Sequence, residues 1–93
     1  MKLQITRSDQ VGKKYKAVFS NGIQKTIHFG ASGYEDYTQH HDEARKALYL
    51  ARHRNSESWN NPQTAGSLSR WLLWDTKSFQ NNILRFKKRF NLK

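Results

Sequence analysis

The sequence predicts a small α+β fold in which an antiparallel sheet of three strands carries two or three helices on one face. Apolar and polar residues alternate over the first third of the chain, which is typical of half-buried strands. Later segments repeat apolar residues every three or four positions, which is typical of amphipathic helices. A chain of 93 residues is long enough for one hydrophobic core. We therefore expect a single domain, with the sheet in residues 1–29 and a loop and helices in residues 30–93.

Three alternating runs predict the strands. Residues 2–6 form a short run that suits an edge strand, and residues 13–19 and 23–29 form two longer ones. Asn21 and Gly22 lie between the longer runs, and this dipeptide favours a two-residue type I′ turn. The sequence therefore predicts a β-hairpin preceded by an N-terminal strand.

The first long helix is predicted to begin at Asp42, because an aspartate is a good N-cap. Acidic residues follow in the first turn and basic residues in the last, which matches the helix dipole. At 100° per residue, Ala44, Leu48 and Ala51 share one stripe, which we expect to pack on the sheet. Arg45, Tyr49 and Arg52 line the neighbouring stripe, which could face solvent or a phosphate.

Two further helices are predicted in the second half of the chain. Asn61 is the expected N-cap of the first, with Pro62 at its first position and an apolar face that runs to Trp74. A break at Asp75 and Thr76 supplies the N-cap of the last helix. Its apolar stripe consists of Phe79, Ile83, Phe86 and Phe90.

The charge balance is the strongest indication of a partner. Seventeen Lys and Arg against seven Asp and Glu give a formal net charge of +10. Such a charge attracts nucleic acid, an anionic membrane face or an acidic protein surface. The alternative is a charge that only maintains solubility.

Composition also excludes several classes of protein. Cysteine is absent, which excludes disulfide scaffolds and thiolate metal sites. No apolar run of about 20 residues and no signal-peptide pattern occurs, so we expect no transmembrane segment and no secretion.

The candidate nucleic-acid-binding residues are cations grouped on the helices and the hairpin. Phosphate contacts are expected from Arg45, Lys46, Arg52, Arg54, Arg70, Lys87, Lys88, Arg89, Lys14 and Lys16. Three tyrosines are possible stacking platforms for bases, namely Tyr34, Tyr37 and Tyr49. For the hairpin lysines, protection of an exposed sheet edge is an equally good explanation.

Glu35 and Asp36 stand in an acidic-aromatic loop ahead of the basic helix. We expect these carboxylates to pair internally with Arg45, Arg52 or Arg54 and to position the guanidinium groups. A structural role of this kind is favoured over catalysis, because no acid-base constellation accompanies them.

No catalytic, metal-binding or cofactor-binding residues are predicted. His40, His41 and His53 have spacings that fit neither HExxH nor a zinc finger. Walker, GxGxxG and GxSxG motifs are absent. We therefore expect a protein that is not an enzyme. A metal-dependent nuclease built around Glu35, Asp36 and His40 is the remaining catalytic hypothesis.

Three strings together carry a family resemblance: FGASGYEDYTQHHDEARKALYLARHR, NNPQTAGSLSRWLLW and FKKRF. The chain resembles a family of short uncharacterised proteins encoded mostly by large DNA viruses, over roughly residues 15–90. It departs from the usual pattern at His41 and over residues 75–77. The resemblance implies a viral origin and no assigned activity.

These observations predict a small basic viral protein that binds nucleic acid mainly through phosphates, with DNA favoured over RNA. The alternative is a virion structural component, a minor capsid or cement protein whose basic surface docks acidic capsid proteins, genome or membrane. The expected location is the virion or the nucleus or cytoplasm of the infected cell. The sequence leaves the oligomeric state open.

Overall fold

The computed structural model describes residues 1–93 and places three strands ahead of four short helices. The strands are β1 (Lys2–Arg7), β2 (Lys13–Ser20) and β3 (Gln24–Ala31), and the helices are α1 (Tyr37–His40), α2 (Glu43–His53), α3 (Ala65–Leu68) and α4 (Phe79–Arg89). A π-helical segment, Ser69–Leu73, directly continues α3. The predicted α+β class is confirmed. No helix has the length and apolar character that crossing a membrane would require.

The sheet is antiparallel in the order β1-β2-β3, so β1 is an edge strand as predicted. The predicted alternation of β2 is also confirmed, because Ala17 and Phe19 are buried while their neighbours are more exposed. The C-terminal residue lies beside the outer edge of β1, where the amide of Leu3 donates to the carbonyl of Lys93 at 2.7 Å. That contact satisfies part of an edge that would otherwise be open.

The hairpin between β2 and β3 differs from the prediction in its loop. Ser20 pairs with Gln24, which leaves three residues in the connection instead of two. Gly22 has a positive φ of 96°, whereas Asn21 does not, so the predicted type I′ turn is wrong. Ile23 consequently leaves the strand, and its side chain is 81% exposed.

The core lies between one face of the sheet and the C-terminal half of the chain. It comprises eight buried residues, Leu3, Ala17, Phe19, Phe29, Leu68, Leu72, Leu73 and Phe86. The four sheet residues all point to the same face, because strand side chains alternate. The helices therefore pack on one face, as predicted.

The helix around residue 65 begins later than predicted. Asn61 is not its N-cap, because the Asn61 Oδ1 atom accepts from the amide of Gln63 within a tight turn, at 3.0 Å. Thr64 is the N-cap instead, and its hydroxyl accepts from the amide of Ser67 at 3.1 Å. Asparagine side chains stabilise turns as readily as helix ends, which the sequence does not distinguish.

Asn82 connects the end of the π-helical segment to α4. Its side chain is fully buried; its amide donates to the carbonyl of Leu72 at 2.9 Å and its oxygen accepts from the amide of Thr76 at 2.9 Å. The break near Asp75 occurs where predicted, but Ser78 caps α4. Asp75 is not available as a cap because its carboxylate accepts from the Nε atom of Arg85 at 2.8 Å.

Helix α2 packs differently from the prediction. Asp42 is the N-cap, as expected, and its side chain accepts from the amides of the first turn. No residue of α2 is buried, however, and Leu48 on the predicted packing stripe is 55% exposed. The contact to the rest of the fold is made by Tyr49, whose ring stacks on Trp74 with 4.3 Å between centroids and 3° between planes. The stacked aromatic pair replaces the expected apolar stripe.

Candidate nucleic-acid interface

The acidic-aromatic loop is fixed by Asp36, which is 3% exposed and caps α1. Its carboxylate accepts from the Nζ atom of Lys14 at 2.7 Å and from the amide of Thr38 at 3.0 Å. Asp36 therefore pairs with a lysine of the hairpin and not with an arginine of α2. Glu35 does make the expected kind of contact, because it lies 3.8 Å from Arg45 with both side chains at least half exposed. Pairs this exposed are weak.

Tyr37 and Lys46 belong to the interior of this region. Tyr37 is 3% exposed and its hydroxyl donates to Glu43. This hydrogen bond and then burial raise the pKa of the Tyr37 phenol. The Nζ atom of Lys46 lies 4.8 Å from the centre of the Tyr37 ring and donates to the carbonyl of Asp75 at 2.6 Å. The Tyr37 ring is thus not accessible to a base, and the Lys46 ammonium is occupied inside the fold.

The other two tyrosines differ sharply in exposure. Tyr49 stacks on Trp74 and on His53, with centroid distances of 4.3 and 4.4 Å, so neighbours occupy its ring. Burial is the main cause that raises the pKa of its phenol, and the charge of Glu57 adds to it. Tyr34 is 75% exposed. Tyr34 is the one stacking candidate with an open ring.

Two arginines and two tryptophans gather beside the π-helical segment. The guanidinium carbon of Arg70 lies 4.2 Å from the ring centre of Trp71 and 5.3 Å from that of Trp59. The guanidinium carbon of Arg89, at the end of α4, lies 3.7 Å from the ring centre of Trp71. The backbone carbonyl of Trp59 accepts a hydrogen bond from the indole N–H of Trp71 at 2.9 Å, which holds the loop around Trp59 in place.

The charges around Arg70 are not compensated by an adjacent carboxylate. Burial lowers the pKa of the Arg70 guanidinium; the charges of Asp75 and Tyr49 oppose this, while Arg89 and Arg54 lower it further. Arg70 donates to the carbonyl of Trp74 at 3.0 Å, and its enclosed Nε atom has no hydrogen-bond partner. We call Arg54, Trp59, Arg70, Trp71 and Arg89 the arginine–tryptophan cluster. It concentrates three positive charges on an aromatic surface.

Arg85 illustrates the opposite situation on the same helix as Arg89. Its hydrogen bond to Asp75 and the charge of that carboxylate raise its pKa. Asp75 is 9% exposed and also accepts, through its carbonyl, from Lys46. The Asp75 carboxylate thus forms its ion pair with Arg85, outside the arginine–tryptophan cluster, and influences Arg70 only through its charge.

The remaining predicted cations are dispersed. Lys16 lies 4.0 Å from Asp9 on the hairpin. Lys87 and Lys88 occupy the last turn of α4 next to Arg89 and make no ion pair. Arg45 and Arg52 lie on one face of α2 and line a cleft between α2, the end of β3 and α3. Lys14 of the hairpin lines the same cleft, although Asp36 engages its Nζ atom, whereas Lys16 lies outside it.

The residues of the nuclease hypothesis do not converge. Asp36 is engaged by Lys14, and the Nδ1 atom of His40 accepts from the amide of Asp42 at 2.9 Å. The His40 ring packs 5.3 Å from that of Trp74. No group of three or more His, Asp or Glu side chains lies close enough together to hold a metal ion.

Comparisons with known proteins place the chain in a family. A family model described as "Family of unknown function (DUF5754)" matches residues 3–53. An uncharacterized protein of Acanthamoeba polyphaga mimivirus is 35% identical over 81 residues, which cover 77% of this chain and 80% of the relative. The chain belongs to the DUF5754 family. No solved structure matches it. These matches confirm the expected resemblance to a family of uncharacterised proteins with a viral member.

The matched DUF5754 segment ends at the last residue of α2, so it contains the sheet, α1 and α2. All five residues of the arginine–tryptophan cluster lie outside that segment, and Arg54 directly follows its last residue. Neither Trp59 nor Trp71 was predicted from the sequence as a candidate site residue. An isolated tryptophan in a polar stretch followed by an Arg-Trp dipeptide was the available signal. Their proximity depends on tertiary packing, which no spacing rule reveals.

Proposed function

We propose that this DUF5754 protein binds nucleic acid, with DNA favoured over RNA, mainly through phosphates, and that it is not an enzyme. The observation that supports the proposal is the arginine–tryptophan cluster. Arg70 and Arg89 share the ring of Trp71 although like charges repel, and the charge of Arg54 also acts on Arg70. No carboxylate forms an ion pair with any of these three arginines. Bringing a polyanion to this surface removes the repulsion and satisfies the free N–H groups.

The aromatic rings contribute to the same proposal. A guanidinium held flat on an indole keeps its edge N–H groups directed outward, which suits bidentate bonding to a phosphate. Arg70 and Arg89 both lie over Trp71, within 4.2 and 3.7 Å of the ring centre. The net charge of +10 adds long-range attraction that is independent of nucleotide sequence.

The test is the salt dependence of binding to a short DNA duplex and to a single strand of equal length, measured by fluorescence anisotropy. Each phosphate contact contributes about 0.9 to the slope of log affinity against log salt for a duplex and about 0.7 for a single strand. We expect a steep slope with the wild-type protein. A flat response would contradict the proposal.

A matched pair of double variants separates the cluster from general charge. Arg54→Ala/Arg89→Ala removes two exposed cations of the arginine–tryptophan cluster. Lys25→Ala/Lys77→Ala removes two exposed cations that make no ion pair and lie elsewhere. The first variant should lose about 1.4 units of slope on a single strand, and the second should lose much less. Equal losses would show that only the net charge matters.

A virion structural role is the second candidate, and the exposed stripe of α2 favours it. Ala44, Ala47 and Ala51 are exposed beside Leu48, so an apolar strip borders a strongly basic surface. An acidic capsid protein would complement both features. Co-sedimentation of the purified protein with capsid shells, abolished by Leu48→Asp, would support this role. A virion structural role would place the protein in the virion, whereas nucleic-acid binding also fits the nucleus or cytoplasm of the infected cell.

A further inference from the structure

A cleft of about 610 Å³ separates α2 from the body of the protein. Its volume lies within the range of about 300–1,000 Å³ that small-molecule sites occupy. One wall is α2, the opposite wall is formed by α3 and the π-helical segment, and the loop after β3 closes one end. The cleft is distinct from the arginine–tryptophan cluster, because it contains none of the five residues that define that cluster.

The α2 wall alternates between positive and apolar groups. Arg45, Leu48 and Arg52 are spaced i, i+3 and i+7 and all line the cleft. This spacing puts the two arginines about 10 Å apart along the helix axis with Leu48 between them. Arg45 contacts Glu35 only at 3.8 Å, and Arg52 makes no ion pair. Both guanidinium groups are therefore available to an anion.

Two glycines, Gly30 and Gly66, line the cleft opposite α2. Gly30 has a φ of +79°, and a Cβ atom there would lie 3.0 Å from the Cδ1 atom of Leu73. A Cβ atom on Gly66 would lie 2.6 Å from the Oε2 atom of Glu57. The positive φ of Gly30 favours glycine there, whereas the flexible end of Glu57 could move away from a Cβ atom at Gly66. Leu73 lies behind this wall and is only 2% exposed.

Glu57 supplies a free acceptor at the edge of the cleft. Its Oε1 atom lies 3.2 Å from the Nδ1 atom of His53 and 3.3 Å from the indole nitrogen of Trp59. Its Oε2 atom faces Gly66 and has no hydrogen-bond partner in the protein. A half-enclosed carboxylate oxygen of this kind selects an N–H donor.

We propose that this cleft binds one nucleotide unit whose base carries an amino group. The base lies between Leu48 and the opposite wall at Gly66, its amino group donates to the Oε2 atom of Glu57, and its phosphate is bound by Arg45 and Arg52. A flat apolar ring, an amino donor and an anion are the three features that these walls complement together. The unit is either a free mononucleotide or an unstacked residue of a bound strand. This site does not depend on the arginine–tryptophan cluster.

The test is a titration of the full-length, ¹⁵N-labelled protein with adenosine 5′-monophosphate, followed by amide chemical shifts. Three comparison ligands separate these features. Adenosine lacks the phosphate, uridine 5′-monophosphate lacks the exocyclic amino group, and inorganic phosphate lacks the base altogether. We expect adenosine monophosphate to bind at least about tenfold more tightly than any of them, with shifts at Gly30, Leu48 and Gly66. Equal affinity for adenosine monophosphate and phosphate, or shifts confined to other surfaces, would overturn the proposal.

Variants at exposed positions keep the fold intact while changing the cleft. Arg52→Ala and Leu48→Asp should each weaken binding of adenosine monophosphate at least about tenfold. Ala47→Asp adds the same charge one residue away, outside the cleft, and should weaken binding much less. Loss of binding to the same extent in Ala47→Asp and Leu48→Asp would contradict a site at the cleft.

Two further variants test which base the cleft prefers and whether the bound nucleotide is free or belongs to a strand. Glu57→Gln should reduce the preference for adenosine over uridine monophosphate, which a merely structural role of Glu57 would not do. Arg54→Ala/Arg89→Ala should leave mononucleotide affinity unchanged even where it weakens oligonucleotide binding. If an oligonucleotide changes the amide shifts of Gly30 and Gly66 and displaces adenosine monophosphate, the bound nucleotide belongs to a strand. If the oligonucleotide has neither effect, the ligand is the free nucleotide. Loss of mononucleotide binding in that double variant would overturn the assignment to the cleft.

Discussion

Helices α2 and α4 have the same length of eleven residues and both end in basic side chains, yet the fold uses them differently. Helix α4 buries Phe86 and Asn82, whereas α2 buries no residue. Helix α2 is attached by a stack between Tyr49 and Trp74 and by polar contacts of Glu43 and Lys46. We infer from this difference that α4 stabilises the core, whereas α2 mainly forms a wall of the cleft.

The largest expected effect comes from truncating equivalent apolar residues on the two helices. Phe86→Ala removes a side chain that is 1% exposed and should lower the free energy of unfolding by about 3–5 kcal/mol. Leu48→Ala on α2 should change it by less than about 0.5 kcal/mol, because Leu48 is 55% exposed. Urea unfolding measures both. Similar losses in the two variants would contradict the division of roles.

Asn82→Ala should have the next largest effect. The substitution leaves the carbonyl of Leu72 and the amide of Thr76 without their partners, in a site from which water is largely excluded. Each unsatisfied buried group costs about 1–3 kcal/mol. Asn81→Ala, on the exposed side of the same helix, is the control and should be nearly neutral. Equal denaturation midpoints for the two variants would argue against a structural role for Asn82.

The attachment of α2 is tested by Tyr49→Ala. An aromatic pair contributes about 0.5–1.5 kcal/mol beyond the area that it buries. We expect amide hydrogen exchange in α2 to accelerate while protection in α4 stays unchanged, because local opening depends on local contacts. Tyr34→Ala, at a ring that is 75% exposed, should alter neither helix. Uniform acceleration across both helices would mean that α2 and α4 open as one unit.

The smallest effect concerns alkaline pH. Burial raises the pKa of Tyr49 above its ordinary value of about 10, so the folded protein retains a proton that the unfolded chain releases. The free energy of unfolding should therefore fall as pH rises above about 10, toward the pKa of the folded state. In urea unfolding over this pH range, the free energy of unfolding of Tyr49→Phe should fall less steeply than that of the wild-type protein. Parallel curves for the two proteins would show that Tyr49 does not contribute.

The strands were predictable from the sequence because alternation depends on local spacing alone. The α2 cap at Asp42 was predictable for the same reason. The local sequence pattern predicted the wrong packing surface for α2, because Tyr49 stacks on Trp74 and Leu48 remains exposed to solvent. A stripe of alanines offers little area to bury, and two large aromatic rings offer more. Loop length at Asn21 and the caps at Thr64 and Ser78 also escaped prediction, since several polar side chains compete for each turn.

The candidate site was less predictable than the fold. The cations were named from charge and helical position, but which of them pair internally depends on contacts between distant segments. Lys14 and Asp36 are separated by 22 positions along the chain, and Lys46 and Asp75 by 29. Arg70 was predicted as one of the phosphate-binding cations, and its lack of a carboxylate partner became visible only in three dimensions.

The most direct test of the proposed interface is to titrate the ¹⁵N-labelled protein with a short single-stranded oligonucleotide at low salt and to follow side-chain signals. We predict that the Nε–H resonances of Arg70 and Arg89 and the indole N–H resonances of Trp59 and Trp71 shift first, and that raising the salt reverses the shifts. Shifts confined to the hairpin lysines, or no shifts at low salt, would contradict the interface.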